Sequence, residues 1–219
     1  MIFGLYPEII NAQEAAETAV REIARSYLYK DMLALQQIRN AEALERLVQS
    51  IALQVGNEVS YNELAQQVGV DKKTIESYLR VLEQSFIIFR LGSFSRNLRN
   101  ELKKSRKIYF VDTGIRNTVI NNLNPPDLRS DVGGLWENFV LAERMKRNHK
   151  QGLFPNTYFW RSHQKQEIDY LEELGGAWRG YEIKWGEKRL KVPSGFSAAY
   201  PECPVTLINR ENMTEFVTD

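Results

Sequence analysis

The sequence predicts mixed α and β structure: a helical N-terminal segment, a winged helix-turn-helix, then an α/β layer. Three observations predict it. Apolar residues recur at helical spacing through the first 55 residues. Two short helix patterns separated by a glycine follow, and after them two β-rich runs around a basic stretch. Beyond residue 132 one long helix pattern precedes several short runs of period two.

Residues 11–38 are rich in helix formers, with Ile23, Tyr27 and Met32 at roughly helical spacing, so residues 1–38 form a helical segment. Leu44, Leu47, Val48, Ile51 and Val55 make the apolar side of a second helix over 40–55, ended by Gly56-Asn57. In VSYNELAQQVGVDKKTIESYLRVLEQ, Ser60 N-caps a short helix with Glu63 three residues on, Gly69 breaks it, and Asp71 caps the next. Ala65, Gly69, Ile75 and Tyr78 stand where a helix-turn-helix needs a small residue, a turn and two core contacts.

FIIFRLGSF (86–94) and KIYFV (107–111) read as strands flanking SRNLRNELKKSRK, which completes a winged helix over 39–119. Its basic stretch carries Arg96, Arg99, Lys103, Lys104, Arg106 and Lys107 against one acid, Glu101. The second helix presents Lys72, Lys73, Thr74, Ser77 and Arg80, the side-chain types that bind phosphate oxygens. DNA is the expected partner; the plainer alternatives are a helical hairpin and a solvated charged loop.

INNLNPPDLRSD (120–131) reads as a linker. The layer over 128–219 comprises a helix at 133–148, a strand at 157–161, a hairpin, a last strand at 204–208 and a closing helix at 211–217.

Acids and bases nearly cancel, with a net charge of +1, so nucleic-acid binding has to come from local patches. One cysteine, Cys203, excludes a disulfide framework, and two histidines, His149 and His163, are too few for a zinc cluster. No run of 18 apolar residues and no basic leader region occurs, so the expectation is a soluble, cytoplasmic chain without a membrane partner. No internal repeat occurs. No G-x-x-x-x-G-K-[ST] loop is present, so no ATP site or ATPase activity is expected of this chain.

The hairpin concentrates the chemistry. EIDYLEELGGAWRGYEIKW places two alternating runs around Gly175-Gly176. Tyr181, Ile183 and Trp185 share one face; Glu182 and Lys184 share the other, where Asp169 lies beside them if the strands pair. Either this is a solvated face, or it is a metal-dependent phosphodiesterase site. In the second case Asp169 and Glu182 hold Mg²⁺ or Mn²⁺, Lys184 stands by the attacking water or phosphate, and Glu137 reaches in from the preceding helix. The pattern (D/E)-x-K itself carries little information, since Asp71-Lys72-Lys73 and Glu101-Leu102-Lys103 match it too. Trp160 reads as core, Arg161 as an acid's partner or a phosphate contact, and His163 as a surface residue.

Glu137 on a helix, Asp169 on one strand and Glu182-Ile183-Lys184 on the next resemble the PD-(D/E)xK nuclease superfamily. More broadly, GLYPEI, SYLYKDML, the winged-helix segment, KIYFVDTGIRN, GGLWENFV, YFWRSHQKQEIDY, YEIKWGEK and VTLINREN resemble the C-terminal half of a prokaryotic family of AAA-type ATPases. The resemblance implies a winged helix followed by a restriction-endonuclease-like domain over 128–219, with residue 1 falling about where the family's P-loop core ends. It implies the DNA-binding C-terminal module of an AAA-type ATPase with a recognition or regulatory role, and leaves open whether an ATPase domain or partner acts in trans. A Mg²⁺-dependent DNA endonuclease using Glu137, Asp169, Glu182 and Lys184 is the alternative, and a protein-interaction module the third reading.

Overall fold

The structure, a computed structural model, describes residues 1–26, 28, 40–94, 106–162, 164–186 and 189–218. The fold is mixed α and β, in two compact units: residues 1–90 with 107–139, and residues 91–106 with 140–219.

The first unit contains α1 (Pro7–Ala12), α2 (Ala16–Arg25), α3 (Ala41–Leu53), α4 (Tyr61–Val68), α5 (Lys72–Gln84) and α6 (Thr113–Val119). It also holds β1 (Glu58–Val59), most of β3 (Arg106–Phe110) and the start of β2 (Ile88–Ser93), with β3 between β1 and β2. The expected helix over 11–38 is interrupted: Gln13, at φ 45°, ends α1, and residues 29–39 lie outside the described residues. The two predicted caps, Ser60 and Asp71, form, and Asn40 adds a third. Asn40 accepts from Ala43 N at 3.0 Å, Ser60 from Glu63 N at 3.4 Å, and Asp71 from Thr74 N at 3.0 Å. Gly69 closes α4 at φ 78°, a left-handed conformation that a Cβ disfavours.

Leu44, Leu47, Val48 and Ile51, at i, i+3, i+4 and i+7 of α3, meet Leu64, Ile75 and Leu79 in one core. Each such side chain contributes about 1.5–3 kcal/mol on burial. The N-terminal segment is bound to α6 by side chain-to-backbone bonds. Thr113 Oγ1 donates to Met1 O at 2.7 Å, Asn117 Nδ2 to Ile2 O at 2.8 Å, and Leu5 N to Asp112 Oδ2 at 2.8 Å. The predicted linker is pinned down as well. Arg129, 7% exposed, donates to Asp131 at 2.8 Å and to Asn117 Oδ1 at 2.9 Å, while Arg116 reaches Ala52 O at 2.8 Å and also bonds Asp131. Turn-forming composition correctly signals a break in regular structure there, but two buried guanidiniums hold the stretch against the first unit.

The second unit is built on strands in the order β2-β4-β5-β6-β7, with β4 (Asn156–Arg161), β5 (Glu167–Leu174), β6 (Ala177–Ile183) and β7 (Val205–Ile208). The sheet is mixed: β2 with β4 and β6 with β7 are parallel, whereas β4 with β5 and β5 with β6 are antiparallel. The β5–β6 turn falls at Gly175-Gly176, as predicted, and pairs Tyr170 with Tyr181. Trp160, Ile168, Leu171 and Phe196 form its core, the last from α8 (Ser194–Ala199). Helix α7 (Val132–Lys150) contributes residues to both units, and α9 (Met213–Thr218) ends the described chain. Among the described residues no helix is long and apolar enough to cross a membrane.

Candidate functional site

The hairpin brings Asp169, Glu182 and Lys184 together. Asp169 precedes the Tyr170–Tyr181 pair on β5, Glu182 follows it on β6, and Lys184 lies just past the strand. Lys184 Nζ is 2.7 Å from Asp169 Oδ2 and 2.9 Å from Glu182 Oε2. Asp169 Oδ2 also accepts from Ile183 N at 2.8 Å. The face is not solvated: Asp169 and Glu182 are 6% and 9% exposed.

Two buried carboxylates with one ammonium leave excess negative charge. Burial, then the Asp169 charge, push the Glu182 carboxyl up to about 7. Burial lowers the Lys184 ammonium, but Asp169 and Glu182 outweigh that and hold it above the ordinary lysine value. The trio is therefore an ion-pair cluster whose Glu182 carboxyl exchanges its proton near neutral pH. Its hard oxygens are of the type Mg²⁺ takes, yet Lys184 Nζ stands where an ion bridging both acids would sit. As arranged, the residues do not fit a bound divalent ion. Among the described residues no group of three or more histidine, cysteine, aspartate or glutamate side chains is placed to hold a metal.

Glu137 belongs to the first unit and has partners there. Its Oε1 accepts from Lys107 Nζ at 3.0 Å and from the Tyr109 hydroxyl. This corrects the reading of Lys107 as part of a basic wing: at 1% exposure it is a buried counter-ion. Its only sequence signal is the i, i+2 spacing with Tyr109, which puts both on one side of β3.

Arg161 takes the acid-partner role, with Nη1 3.7 Å from Glu167 Oε2 across the β4–β5 pair. Trp160 is core at 8% exposure; Trp185 is only half-buried, with Arg210 over its ring at 4.8 Å. Lys72, Lys73 and Arg80 are exposed on α5, while Thr74 and Ser77 are half-buried. The Thr74 hydroxyl donates to Asp71 at 2.7 Å, and Lys72 lies 3.9 Å from Glu76. Arg106 is half-buried at the start of β3. Arg96, Arg99, Lys103, Lys104 and His163 lie outside the described residues.

Sequence reasoning missed a second buried network. Arg144 Nε and Nη2 donate to Glu172 at 2.9 and 2.8 Å, and Asn148 and Tyr170 donate to the same carboxylate at 2.9 and 3.0 Å. Burial favours a neutral Glu172, but Arg144 and the other donors hold its carboxyl below the usual value. A cavity of about 480 Å³ in this unit is lined by Phe94, Trp178, Phe196 and Tyr200 among others and by none of the predicted site residues.

Fold and site define a class: a two-unit mixed α/β chain carrying a buried carboxylate–ammonium cluster on a β-hairpin. A family model described as Domain of unknown function (DUF8612) matches residues 1–126, and a second, Domain of unknown function (DUF4143), matches residues 132–216. The first match covers more than half of the chain, which therefore belongs to the DUF8612 family. An uncharacterized protein of Mycobacterium tuberculosis is 30% identical over 195 residues, covering 87% of this chain and 42% of that protein. Uncharacterized proteins of Methanocaldococcus jannaschii and Haemophilus influenzae are 24% and 23% identical, covering 77% and 67% of this chain and 37% of each of those proteins. The chain spans about two fifths of the length of the curated relatives it matches. No solved structure matches it.

Proposed function

We propose that this chain is a DNA-binding module in which α4, the Gly69 turn, α5, β2 and β3 act as a winged helix-turn-helix, and the nuclease-like second unit serves as a scaffold. The observation that carries the reading is the outer face of α5. Asp71 caps the helix, Ile75, Tyr78, Leu79 and Leu82 bury its inner face, and Lys72, Lys73 and Arg80 remain exposed. Cations on the free face of a helix suit phosphate contact. The resemblance to the C-terminal half of AAA-type ATPases extends the proposal to a recognition or regulatory role for an AAA-type ATPase domain.

The test is fluorescence anisotropy with a labelled duplex across a salt series. Replacing Lys72, Lys73 and Arg80 together with Ala should weaken binding at least about tenfold and reduce the slope of log affinity against log salt by about 2–3. The triple substitution Lys103, Lys104 and Arg106→Ala should act in the same direction. Unchanged affinity and slope in both variants would sink the proposal and leave the protein-interaction reading.

A second reading, Mg²⁺- or Mn²⁺-dependent DNA cleavage, is favoured by one observation, the convergence of Asp169, Glu182 and Lys184. Against it stand Lys184 in the cation position and Glu137 held by Lys107. Calorimetry with Mg²⁺ and Mn²⁺ on wild type and Asp169→Asn, followed by plasmid nicking, separates the readings. Metal binding and nicking that both vanish in Asp169→Asn would replace scaffold with enzyme.

A further inference from the structure

The core of the second unit is only half closed. Trp160, Ile168, Leu171 and Phe196 are buried, whereas Phe94, Tyr158, Trp178, Tyr200 and Cys203, packed against them, are partly buried. The β4–β5–β6 register puts Tyr158, Leu171 and Trp178 on one face of the sheet, and α8 lays Phe196 over it. Beside Phe196 and Trp178 a cavity of about 480 Å³ stays open, room enough for a small organic molecule.

The walls are aromatic. The ring centres of Phe94 and Trp178 are 4.4 Å apart, those of Phe94 and Tyr200 5.3 Å, and those of Phe196 and Tyr200 5.1 Å. The planes are tilted by 50°, 59° and 43°, so the rings are not stacked face to face and their π faces are not used up on one another. Such faces carry partial negative charge and attract a cation. Among the described lining residues Glu202 supplies the formal charge: its carboxylate is exposed on the rim, without an ion pair to a described residue, and no described lysine, arginine or histidine joins it. An anion would meet ring faces and a carboxylate of its own sign. A neutral apolar molecule would be held by burial alone, whereas a cation on an apolar body gains from burial, rings and carboxylate together.

We propose that this cavity binds a small organic ammonium ion, with its apolar body against Leu171 and Phe196 and its charge served by the Trp178 ring and the Glu202 carboxylate. The site shares no residue with the α5 face or with the Asp169–Glu182–Lys184 cluster, so it stands or falls separately from the DNA-binding reading. The chain's single cysteine, Cys203, lines the same cavity and reports its occupancy. Burial pushes the Cys203 thiol up, so it is protonated at neutral pH and reacts slowly enough for protection to be timed.

Calorimetry on the full chain with three probes that share one body tests it: phenethylammonium, neutral 2-phenylethanol and anionic phenylacetate. Phenethylammonium should bind in the micromolar to millimolar range and about fivefold or more tighter than 2-phenylethanol, with phenylacetate the weakest. Glu202→Gln should weaken the cation about two- to fivefold and leave 2-phenylethanol unchanged, the loss expected for an exposed ion pair. Glu202 is exposed, so this variant should keep the wild-type circular dichroism. Trp178→Leu should cost the cation more than the neutral probe, because leucine keeps an apolar wall and removes the ring face. Saturating phenethylammonium should slow alkylation of Cys203 by N-ethylmaleimide. The Lys72, Lys73 and Arg80→Ala variant should bind phenethylammonium like the wild type. Binding of 2-phenylethanol or phenylacetate as tight as that of the cation overturns the proposal, as does no binding of the cation at millimolar concentration. A Cys203 alkylation rate unchanged by the bound cation would place it elsewhere and overturn the proposal too.

Discussion

Lys184 donates to Asp169 and Glu182 together, so removing its charge leaves two buried acids without their ammonium. Lys184→Gln should lower stability by about 1–3 kcal/mol, less than for a fully enclosed pair because its side chain is 33% exposed. Urea unfolding at pH 7 measures it. Millimolar Mg²⁺ should then restore part of the loss in Lys184→Gln and leave the wild type unchanged, since only the variant frees the cation position. Equal stabilisation of both would show that Lys184 does not hold that position. Glu182 gives a separate prediction. Its carboxyl rises from 4.5 to about 7 on folding, so between those values the folded state binds more protons than the unfolded chain. Stability from this group is full below pH 4.5 and is lost as pH rises through about 7. Asp131 works the other way at lower pH: burial favours its neutral form, but Arg129 and Arg116 hold it at about 2, so its contribution is lost only under strong acid. Glu182→Gln should therefore flatten the unfolding free energy between pH 5 and pH 8 and exceed wild type at pH 8. A wild-type profile with no decline over that range would refute the assignment.

At the scale of elements, the helix boundaries follow local chemistry while the docking of one element on another follows shape. The first five residues lie along the start of α6 through bonds to backbone atoms, an arrangement that needs the two chains of atoms very close. A Cβ on Gly114 would fall 2.0 Å from Phe3 O, and Gly4, at φ 82°, faces the Asp112 carboxylate. Gly114→Ala should destabilise by about 1–3 kcal/mol, because the obstacle is backbone rather than a flexible side-chain end. Limited proteolysis within residues 1–12 should accelerate in the variant, with α3–α5 left protected. Unaltered cleavage would mean the segment is held by other contacts.

For the whole molecule, the first unit is assembled from pieces distant in sequence. Asn138 returns to bond Phe110 N and O at 2.9 and 2.6 Å, and Glu137 neutralises buried Lys107. The family boundary near residue 126 therefore does not coincide with the limit of the unit, which runs to Phe139. A fragment of residues 1–126 should be about 3–5 kcal/mol less stable than one of residues 1–150, the cost of stranding a buried charge. Thermal unfolding by circular dichroism compares the two, and equal midpoints would show that the start of α7 is dispensable.

The order of helices and strands was legible because each rests on near neighbours in the chain: apolar spacing in α3, the Ser60 and Asp71 caps, the Gly175-Gly176 turn. The Asp169–Lys184 contact was legible for the same reason, since a tight hairpin fixes the register across which those side chains meet. Counting charges along the chain puts Lys107 on a basic wing, because it cannot sense a carboxylate 30 residues away. The claim of Arg144 on Glu172, across 28 residues, was equally invisible. By itself the sequence determined α3, α4, α5, α7, the strands of the second unit and the hairpin cluster, but not β1, α6 or the break between α1 and α2. Only the tertiary structure decided which charges are buried together, because a buried charge is settled by whichever opposite charge the fold brings within reach.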